Sequence, residues 1–259
     1  MSARCYNSVV DTVSTIYRSC HRLIKDCDVD QKNDAVSIRE RVKRQLTERS
    51  EIMFKGTPEI VAQRREEIVN ACEKLYQTMS FKEINLKEIG NVTSFSRPTI
   101  YNYFHTKEEI FLALFEREYD RWNAGLEAIL NSDVNYTGKQ IAEKIAASLE
   151  NRAQLLRLLS MNNFDMEANS REELLASFKR AYGRSLDLFR SILEKYCPEM
   201  PAEEVKAIMY VFFPFMFGIY PYAEVTDKQK KAMEEAGVDY DYHSIYEITY
   251  NCLVRLLDK

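Results

Sequence analysis

The stretch from Asn85 to Ile110, NLKEIGNVTSFSRPTIYNYFHTKEEI, decides the fold of this chain. Asn85 is a favourable helix N-cap, and Leu86 and Ile89 fall on one helical face. Helix formation is disfavoured over residues 91–94, because Asn, Thr and Ser side chains there compete for the backbone. The stretch predicts two short helices joined by a tight turn, which is the layout of a DNA-reading helix-turn-helix.

The second short helix is expected to begin near Ser96, a candidate N-cap. Pro98 falls in its first turn, where the missing N–H costs little. Ile100 and Phe104 form its apolar stripe, so the intervening side chains point elsewhere.

Longer helices are predicted on both sides of this pair. Thr57 and Pro58 supply an N-cap and a first-turn proline for a helix reaching about Met79. Thr106 and Glu109 form a capping box that opens another helix, and apolar residues continue it from Lys107 to about Leu130.

Composition favours an all-helical protein. The 259 residues include only seven Gly and six Pro, and 29% are charged. The net charge of −4 does not indicate nucleic-acid binding by itself. Residues 57–105 carry six basic and six acidic side chains, whereas residues 106–259 carry nineteen basic and twenty-six acidic. The acidic C-terminal part is therefore expected to face away from DNA.

Several classes of function are disfavoured by the sequence. It has no Gly-rich phosphate loop, HExxH or GxSxG motif, so we expect no catalytic residues and no cofactor. The six cysteines show no paired metal spacing, and Cys20, His21 and Cys27 leave a zinc site only as a minor alternative. The apolar run 207–220 is too short to span a bilayer and contains Pro214. We therefore expect a soluble cytoplasmic protein without a metal.

The motifs of residues 57–107 resemble the DNA-binding signature of the tetracycline-repressor (TetR) family. The matching segments are Ile89-Gly90, Ser94–Ser96, Thr99–Phe104 and Thr106–Ile110. The resemblance implies an all-helical homodimer in which three N-terminal helices bind DNA and a fourth connects them to a variable domain. The implied domains are an N-terminal extension (1–56), a helix-turn-helix DNA-binding domain (57–105) and a helical ligand-binding and dimerisation domain (106–259).

The resemblance also implies a set of DNA contacts in and beside the two short helices: Asn85, Ser96, Arg97, Pro98, Thr99, Tyr101, Asn102, Tyr103, His105 and Lys107. Asn102 suits adenine and Arg97 suits guanine, although both side chains also suit phosphate. Tyr101 and Tyr103 either contact phosphate or pack against the first helix. Ser94 stands where the family commonly has Gly, and it must adopt or avoid a positive φ that would cost about 1 kcal/mol.

Aromatic residues of the C-terminal part are candidates for a ligand pocket: Phe111, Phe115, Phe164, Phe178, Tyr182, Phe189, Tyr210, Phe213 and Phe217. Such residues can line an apolar cavity in which tyrosine hydroxyls provide polar contacts. For each of these residues, the alternative is packing in the protein core or at the dimer interface. Helices near 201–220 and 242–257 are the candidates for the homodimer interface, and Pro221 is expected to end the first of them.

The sequence as a whole indicates a ligand-responsive transcriptional regulator, most simply a repressor that binds a palindromic operator as a homodimer. Its partners would be operator DNA, a second copy and an unknown small-molecule effector, with no membrane. The alternative is a helical protein-interaction module that keeps the fold without specific DNA binding. Residues 37–54 are read as a solvated helix, a basic arm on DNA, or sequence upstream of a natural start at Met53.

Overall fold

The computed structural model describes residues 57–161 and 163–257. These residues form eleven α-helices and no β-strand, so the all-α prediction is confirmed. The expectations for residues 1–56 lie outside the described residues, and the proposed division at residues 56 and 105 stays a prediction. The helices are α1 (Pro58–Tyr76), α2 (Leu86–Asn91), α3 (Arg97–Ile100), α4 (Lys107–Leu130), α5 (Gly138–Glu150), α6 (Ala153–Leu159), α7 (Asn163–Ala168), α8 (Glu172–Tyr196), α9 (Ala202–Ala223), α10 (Asp227–Glu235) and α11 (Ile245–Leu257).

Contacts divide the chain into two units between Gln63 and Arg64. In the first unit, the described residues are 57–63, where the Thr57 carbonyl accepts the first helical hydrogen bond from the Val61 N–H at 2.9 Å. All other contacts below belong to the second unit.

α2 begins as the sequence predicts. Asn85 has extended backbone, and its side-chain oxygen accepts hydrogen bonds from the N–H groups of Lys87 at 2.9 Å and Glu88 at 3.1 Å. These two donors would otherwise have no partner in the first turn. Leu86 and Ile89 face inward and are buried.

α3 is shorter than the predicted helix and is capped differently. It ends at Ile100. Residues 101–104 form a turn in which the N–H groups of Tyr103 and Phe104 donate to the Ile100 carbonyl. Ser96 occupies the N-cap position, but its side chain makes no capping bond, so its predicted capping role is wrong. Its hydroxyl lies 3.3 Å from the Thr99 hydroxyl instead. Ile100 and Phe104 are nevertheless both fully buried, as their spacing predicts.

The connecting helix α4 has the predicted bounds, and half of its predicted capping box is present. The Thr106 hydroxyl accepts the Glu109 N–H at 3.1 Å. The Glu109 carboxylate does not return to Thr106, because it accepts the His105 N–H and three bonds from Arg171. Glu109 is only 1% exposed. A long-range contact therefore replaces the local one.

The core of the second unit is aromatic. α4 packs along α8, and α5 packs along α11. Trp122 of α4 is fully buried and donates its indole N–H to the Ser148 hydroxyl of α5 at 3.1 Å. Phe189 and Phe212 stack with ring centroids 4.9 Å apart. Ring contacts of this kind join α4, α8 and α9, and the Trp122–Ser148 bond adds α5 to the same core.

Two helix boundaries differ from the prediction. Pro221 does not end α9, which continues to Ala223; its ring is tolerated near the end of the helix, and the side chain is exposed. The spacing of Ser170 and Glu173 also predicts a capping box that opens α8, but Ser170 does not cap this helix. Its hydroxyl donates to the Met166 carbonyl, and Arg171 takes the N-cap position.

We expect Asn85→Ala to lower the free energy of unfolding by about 1 kcal/mol, because it removes the acceptor of two helix-start N–H groups. Ser96→Ala is the matched control and should cost less than about 0.5 kcal/mol, since the Ser96 side chain makes no capping bond. Urea unfolding followed by circular dichroism measures both. Equal losses for the two variants would contradict the assignment.

Candidate nucleic-acid interface and ligand cavity

The outer face of α3 and its following turn carries polar and aromatic side chains on a buried base. Arg97 and Asn102 are exposed, and Tyr101 is 41% exposed. The Arg97 guanidinium donates to the Tyr101 hydroxyl at 3.0 Å and lies over its ring. Ile100 beneath them is fully buried, so these three side chains are presented from an anchored turn.

Other predicted DNA contacts are also at the surface. Ser96, Pro98 and His105 are exposed, and Thr99 is half-buried. Asn85 is exposed, but its side-chain oxygen is occupied by the α2 cap. The Asn85 amide group donates to the Glu83 carbonyl at 3.4 Å, so both ends of this side chain are engaged within the protein.

Two predicted contacts are engaged by other parts of the protein, Tyr103 in the core and Lys107 at a half-buried position. Tyr103 is only 3% exposed; its hydroxyl accepts from Arg64 at 3.0 Å, and its carbonyl accepts from Arg65 at 3.3 Å. This position matches the alternative that Tyr103 packs against the first helix. The Lys107 ammonium donates to the Phe81 carbonyl at 2.8 Å and lies 4.1 Å from the centre of that ring.

The turn between α2 and α3 avoids the strained conformation considered for Ser94. Among the described residues only Gly237 has a positive φ, at +66°. The backbone N–H and hydroxyl of Ser94 both bond to the Glu67 carboxylate of α1. A β-carbon added to Gly90 would lie 3.5 Å from the backbone of Arg97, so a small residue suits the close approach of α2 and α3.

A cavity of about 380 Å³ lies among α4, α8 and residues 159–167. This volume is near the lower end of the usual range for ligand pockets. Its walls are mainly apolar and aromatic, and they are formed by Leu112, Phe115, Tyr119, Leu159, Met161, Phe164, Met166, Glu167, Phe178, Lys179, Tyr182 and Phe217.

The structure brings together five of the nine aromatic residues predicted for a pocket: Phe115, Phe164, Phe178, Tyr182 and Phe217. The other four do not line this cavity. Phe111, Phe189 and Phe213 are buried in the core, and Tyr210 is 73% exposed on α9.

Sequence reasoning missed three polar members of the cavity wall, Tyr119, Lys179 and Glu167. Tyr119 is 2% exposed, and no hydrogen bond within the described residues uses its hydroxyl. Lys179 forms an ion pair with Glu167 at 2.6 Å. Tyr119 was detectable, because it shares a face of α4 with Leu112 and Phe115. Lys179 and Glu167 lie on different helices, so no local sequence pattern predicts their ion pair.

A short polar chain links the cavity to the turn that carries Tyr101 and Asn102. Met166 and Glu167 of α7 line the cavity. The Asn169 carbonyl, just beyond α7, accepts the hydroxyl of Thr106, the N-cap of α4. Arg171 then donates to the Tyr103 carbonyl at 3.1 Å and pairs with Glu109 at 2.7 Å. A displacement of α7 would therefore reach the end of the candidate DNA-binding surface.

Residues 116–240 match the family model described as "Tetracyclin repressor-like, C-terminal domain". These residues form a TetR-type C-terminal domain. The match covers the cavity-bearing part, whereas the resemblance in residues 57–107 concerns the other end of the fold.

Solved structures of TetR-family regulators share this fold at low identity. Thermus thermophilus FadR, described as a TetR-family transcriptional repressor in complex with lauroyl-CoA, is 18% identical with a TM-score of 0.52, over 75% of this chain and 94% of that one. Bacillus subtilis FadR in complex with stearoyl-CoA is 15% identical with a TM-score of 0.50, over 74% and 97%. A Thermobifida fusca regulator of the TetR/AcrR family is 14% identical with a TM-score of 0.51, over 76% and 97%. A comparison with curated proteins found no match.

The described residues contain no candidate metal site and one helix of membrane-spanning length. Within residues 57–161 and 163–257, no group of three or more His, Cys, Asp or Glu side chains is placed to hold a metal ion. Cys20, His21 and Cys27 lie outside that part. Helix α9 is long and apolar enough to cross a membrane by length and composition, and 39% of its most apolar window is buried.

We expect Glu109→Gln to lower the free energy of unfolding at pH 7 by about 1–3 kcal/mol, because buried hydrogen bonds to a charged group are lost. Burial would raise the pKa of Glu109, but the bonds from Arg171 and the His105 N–H outweigh it and hold that pKa below 4.5. The wild-type advantage should be complete above the ordinary carboxyl pKa and disappear as the pH falls through the lowered value.

Urea unfolding at a series of pH values measures this difference. Glu108→Gln, in the same helical turn, is the matched control and should change stability little at any pH. A constant difference between wild type and Glu109→Gln down to the acid range would contradict the role assigned to the carboxylate.

Proposed function

We propose that this chain is a TetR-family regulator, a ligand-responsive repressor that binds a palindromic operator as a homodimer. The observation that carries the proposal is the exposed group of Arg97, Tyr101 and Asn102, presented from a turn whose inner residues Ile100 and Phe104 are fully buried. An anchored backbone with exposed polar tips is what reading a DNA groove requires.

The chemistry of this group suits both base and phosphate contact. A guanidinium can donate two hydrogen bonds to guanine, and the Asn102 amide can pair with adenine in the major groove. The bond from Arg97 to the Tyr101 hydroxyl pre-orients the guanidinium. Few cationic side chains lie near Arg97, so one copy of the protein gains little electrostatic affinity for DNA. Two copies on adjacent half-sites are therefore needed for tight binding.

The exposed face of α9 supports a dimer. Tyr210, Val211, Phe217 and Tyr222 are 73%, 50%, 44% and 60% exposed. Their spacing places them along one side of the helix, where Pro214 and Pro221 are also exposed. A continuous apolar stripe on a folded unit marks an interaction site, and burial against a second copy accounts for its hydrophobicity without a membrane. α11, the second candidate interface helix, packs against α5 and α9.

The cavity is the proposed effector site. It is lined mainly by α4, α7 and α8, and α7 leads directly to the Asn169 and Arg171 contacts at the start of α4. An effector that shifts α7 would bias the position of the connecting helix. The Thermus thermophilus and Bacillus subtilis FadR structures were determined in complex with acyl-CoA molecules, which supports an effector with an apolar part.

These roles place the protein in the cytoplasm, where it meets DNA and small-molecule effectors. The polar groups around the cavity serve binding in this proposal, and no catalytic step is assigned to them.

We expect Arg97→Ala to weaken binding to a palindromic duplex from the region upstream of its own gene by about tenfold or more. If the guanidinium binds phosphate, the slope of log K against log salt should also fall by about two, because a dimer loses one contact in each copy. Fluorescence anisotropy at several salt concentrations measures both quantities.

Lys228→Ala removes the same charge from the exposed surface of α10 and should leave DNA affinity unchanged. Absence of salt-dependent binding by the wild-type protein above that of unrelated DNA would favour the protein-interaction module and reject the repressor.

We expect Val211→Lys to convert the dimer to a monomer at micromolar concentration, because two ammonium groups would be buried in the apolar interface. Val134→Lys is the matched control, since Val134 is 55% exposed and lies outside α9 and α11. Sedimentation velocity distinguishes the species. A monomeric wild-type protein at micromolar concentration would rule out the proposed interface.

A further inference from the structure

Few of the residues that line the cavity are charged or polar. Of its twelve described lining residues, only Lys179 and Glu167 are charged, and they pair with each other at 2.6 Å. The remaining polar groups include the hydroxyls of Tyr119 and Tyr182. The wall therefore offers one ammonium, two phenols and one carboxylate that is already engaged.

The two tyrosines act as hydrogen-bond donors. Burial raises the pKa of Tyr119 and, to a smaller degree, that of Tyr182, so both phenols keep their protons at neutral pH. Tyr119 is 2% exposed, and no hydrogen bond among the described residues satisfies its hydroxyl. Because Tyr119 lines the cavity, its hydroxyl can donate to an acceptor of a ligand bound there.

Lys179 also retains donor capacity. An ammonium has three N–H donors, and its one ion pair in the described residues is with Glu167. Its side chain is 49% exposed, so a ligand entering the cavity can reach it without unfolding any helix. The opposite arrangement, a ligand cation on Glu167, would leave the phenol donors unused and repel Lys179.

We propose that the cavity takes an amphiphile with an apolar body and a single anionic head, the head bound by Lys179 and the body by the aromatic walls. This inference rests on the proposed function in treating the cavity as the effector site. The volume of about 380 Å³ suits a small ligand, such as a medium-chain or aryl carboxylate.

The anionic head competes with Glu167 for Lys179. Glu167 lies on the six-residue helix α7, two residues before Asn169, whose carbonyl accepts the Thr106 hydroxyl at 3.0 Å. Replacing Glu167 at the ammonium thus frees the segment that contacts the start of α4. When the ligand carboxylate replaces that of Glu167 at Lys179, the same step binds the ligand and releases α7.

Isothermal titration of the full chain with octanoate, 1-octanol and octylamine tests the ligand class, because the three probes share a chain and differ in head charge. We expect octanoate to bind at least tenfold more tightly than 1-octanol, and octylamine to bind most weakly. Lys179→Met should abolish the advantage of octanoate. Arg180→Met, the neighbouring exposed cation outside the cavity wall, should preserve it.

Two further variants give effects of opposite sign. Glu167→Gln should tighten octanoate binding severalfold, since the competing carboxylate is gone. Tyr119→Phe should weaken it while keeping the ring. The sole tryptophan, Trp122, lies beside Tyr119 and gives a fluorescence check that each variant is folded. Equal binding of octanoate and 1-octanol, tightest binding of octylamine, failure of all three probes to bind, or an unchanged preference in Lys179→Met would overturn the proposal.

Two separate binding measurements distinguish a failure of the ligand class from a failure of the proposed repressor function. Octanoate binding is measured without DNA, and operator binding is measured without octanoate. Octanoate binding through Lys179 with no operator binding would support the ligand class and reject the repressor. Operator binding released equally by octanoate and 1-octanol would support the repressor and reject the ligand class.

Discussion

The fold of the second unit depends on a carboxylate that is almost completely removed from water. Glu109, 1% exposed, accepts the His105 N–H and three donors of Arg171. A buried carboxylate with fewer donors would be strongly unfavourable. Because Arg171 also donates to the Tyr103 carbonyl, the turn after α3, the start of α4 and the start of α8 are held by one guanidinium.

A second charged network ties α1 to the same connecting helix. Arg117 and Arg121 of α4 both pair with Glu73 of α1, and Arg121 also pairs with the buried Glu118. Gln154 of α6 donates to Glu73 and Glu118. α4 therefore receives charged contacts from the first helix on one side and from α8 at its N-terminus.

Local features of the fold are predictable from the sequence, whereas its long-range pairs are not. The Asn85 cap and the bounds of α4 follow from neighbouring residues and are confirmed. The capping assigned to Ser170 and Glu173 is wrong, because Arg171 is drawn to a carboxylate sixty-two residues away. The aromatic set could not be divided between cavity and core, since Phe115 and Phe189 look alike in sequence. Pairs such as Lys179–Glu167 appear only when two helices are placed together.

Helix α10 is stabilised by local contacts and adds nothing to the buried core. Its two ends are satisfied locally, by the capping box of Thr226 and Gln229 and by Gly237 with φ of +66°, and none of its residues is buried. Its backbone amides therefore depend on local bonds alone and should exchange with solvent far faster than those of the adjoining core helices. The segment can melt and re-form while the rest of the unit stays folded, so its outer face is free to vary in sequence at almost no cost to the core.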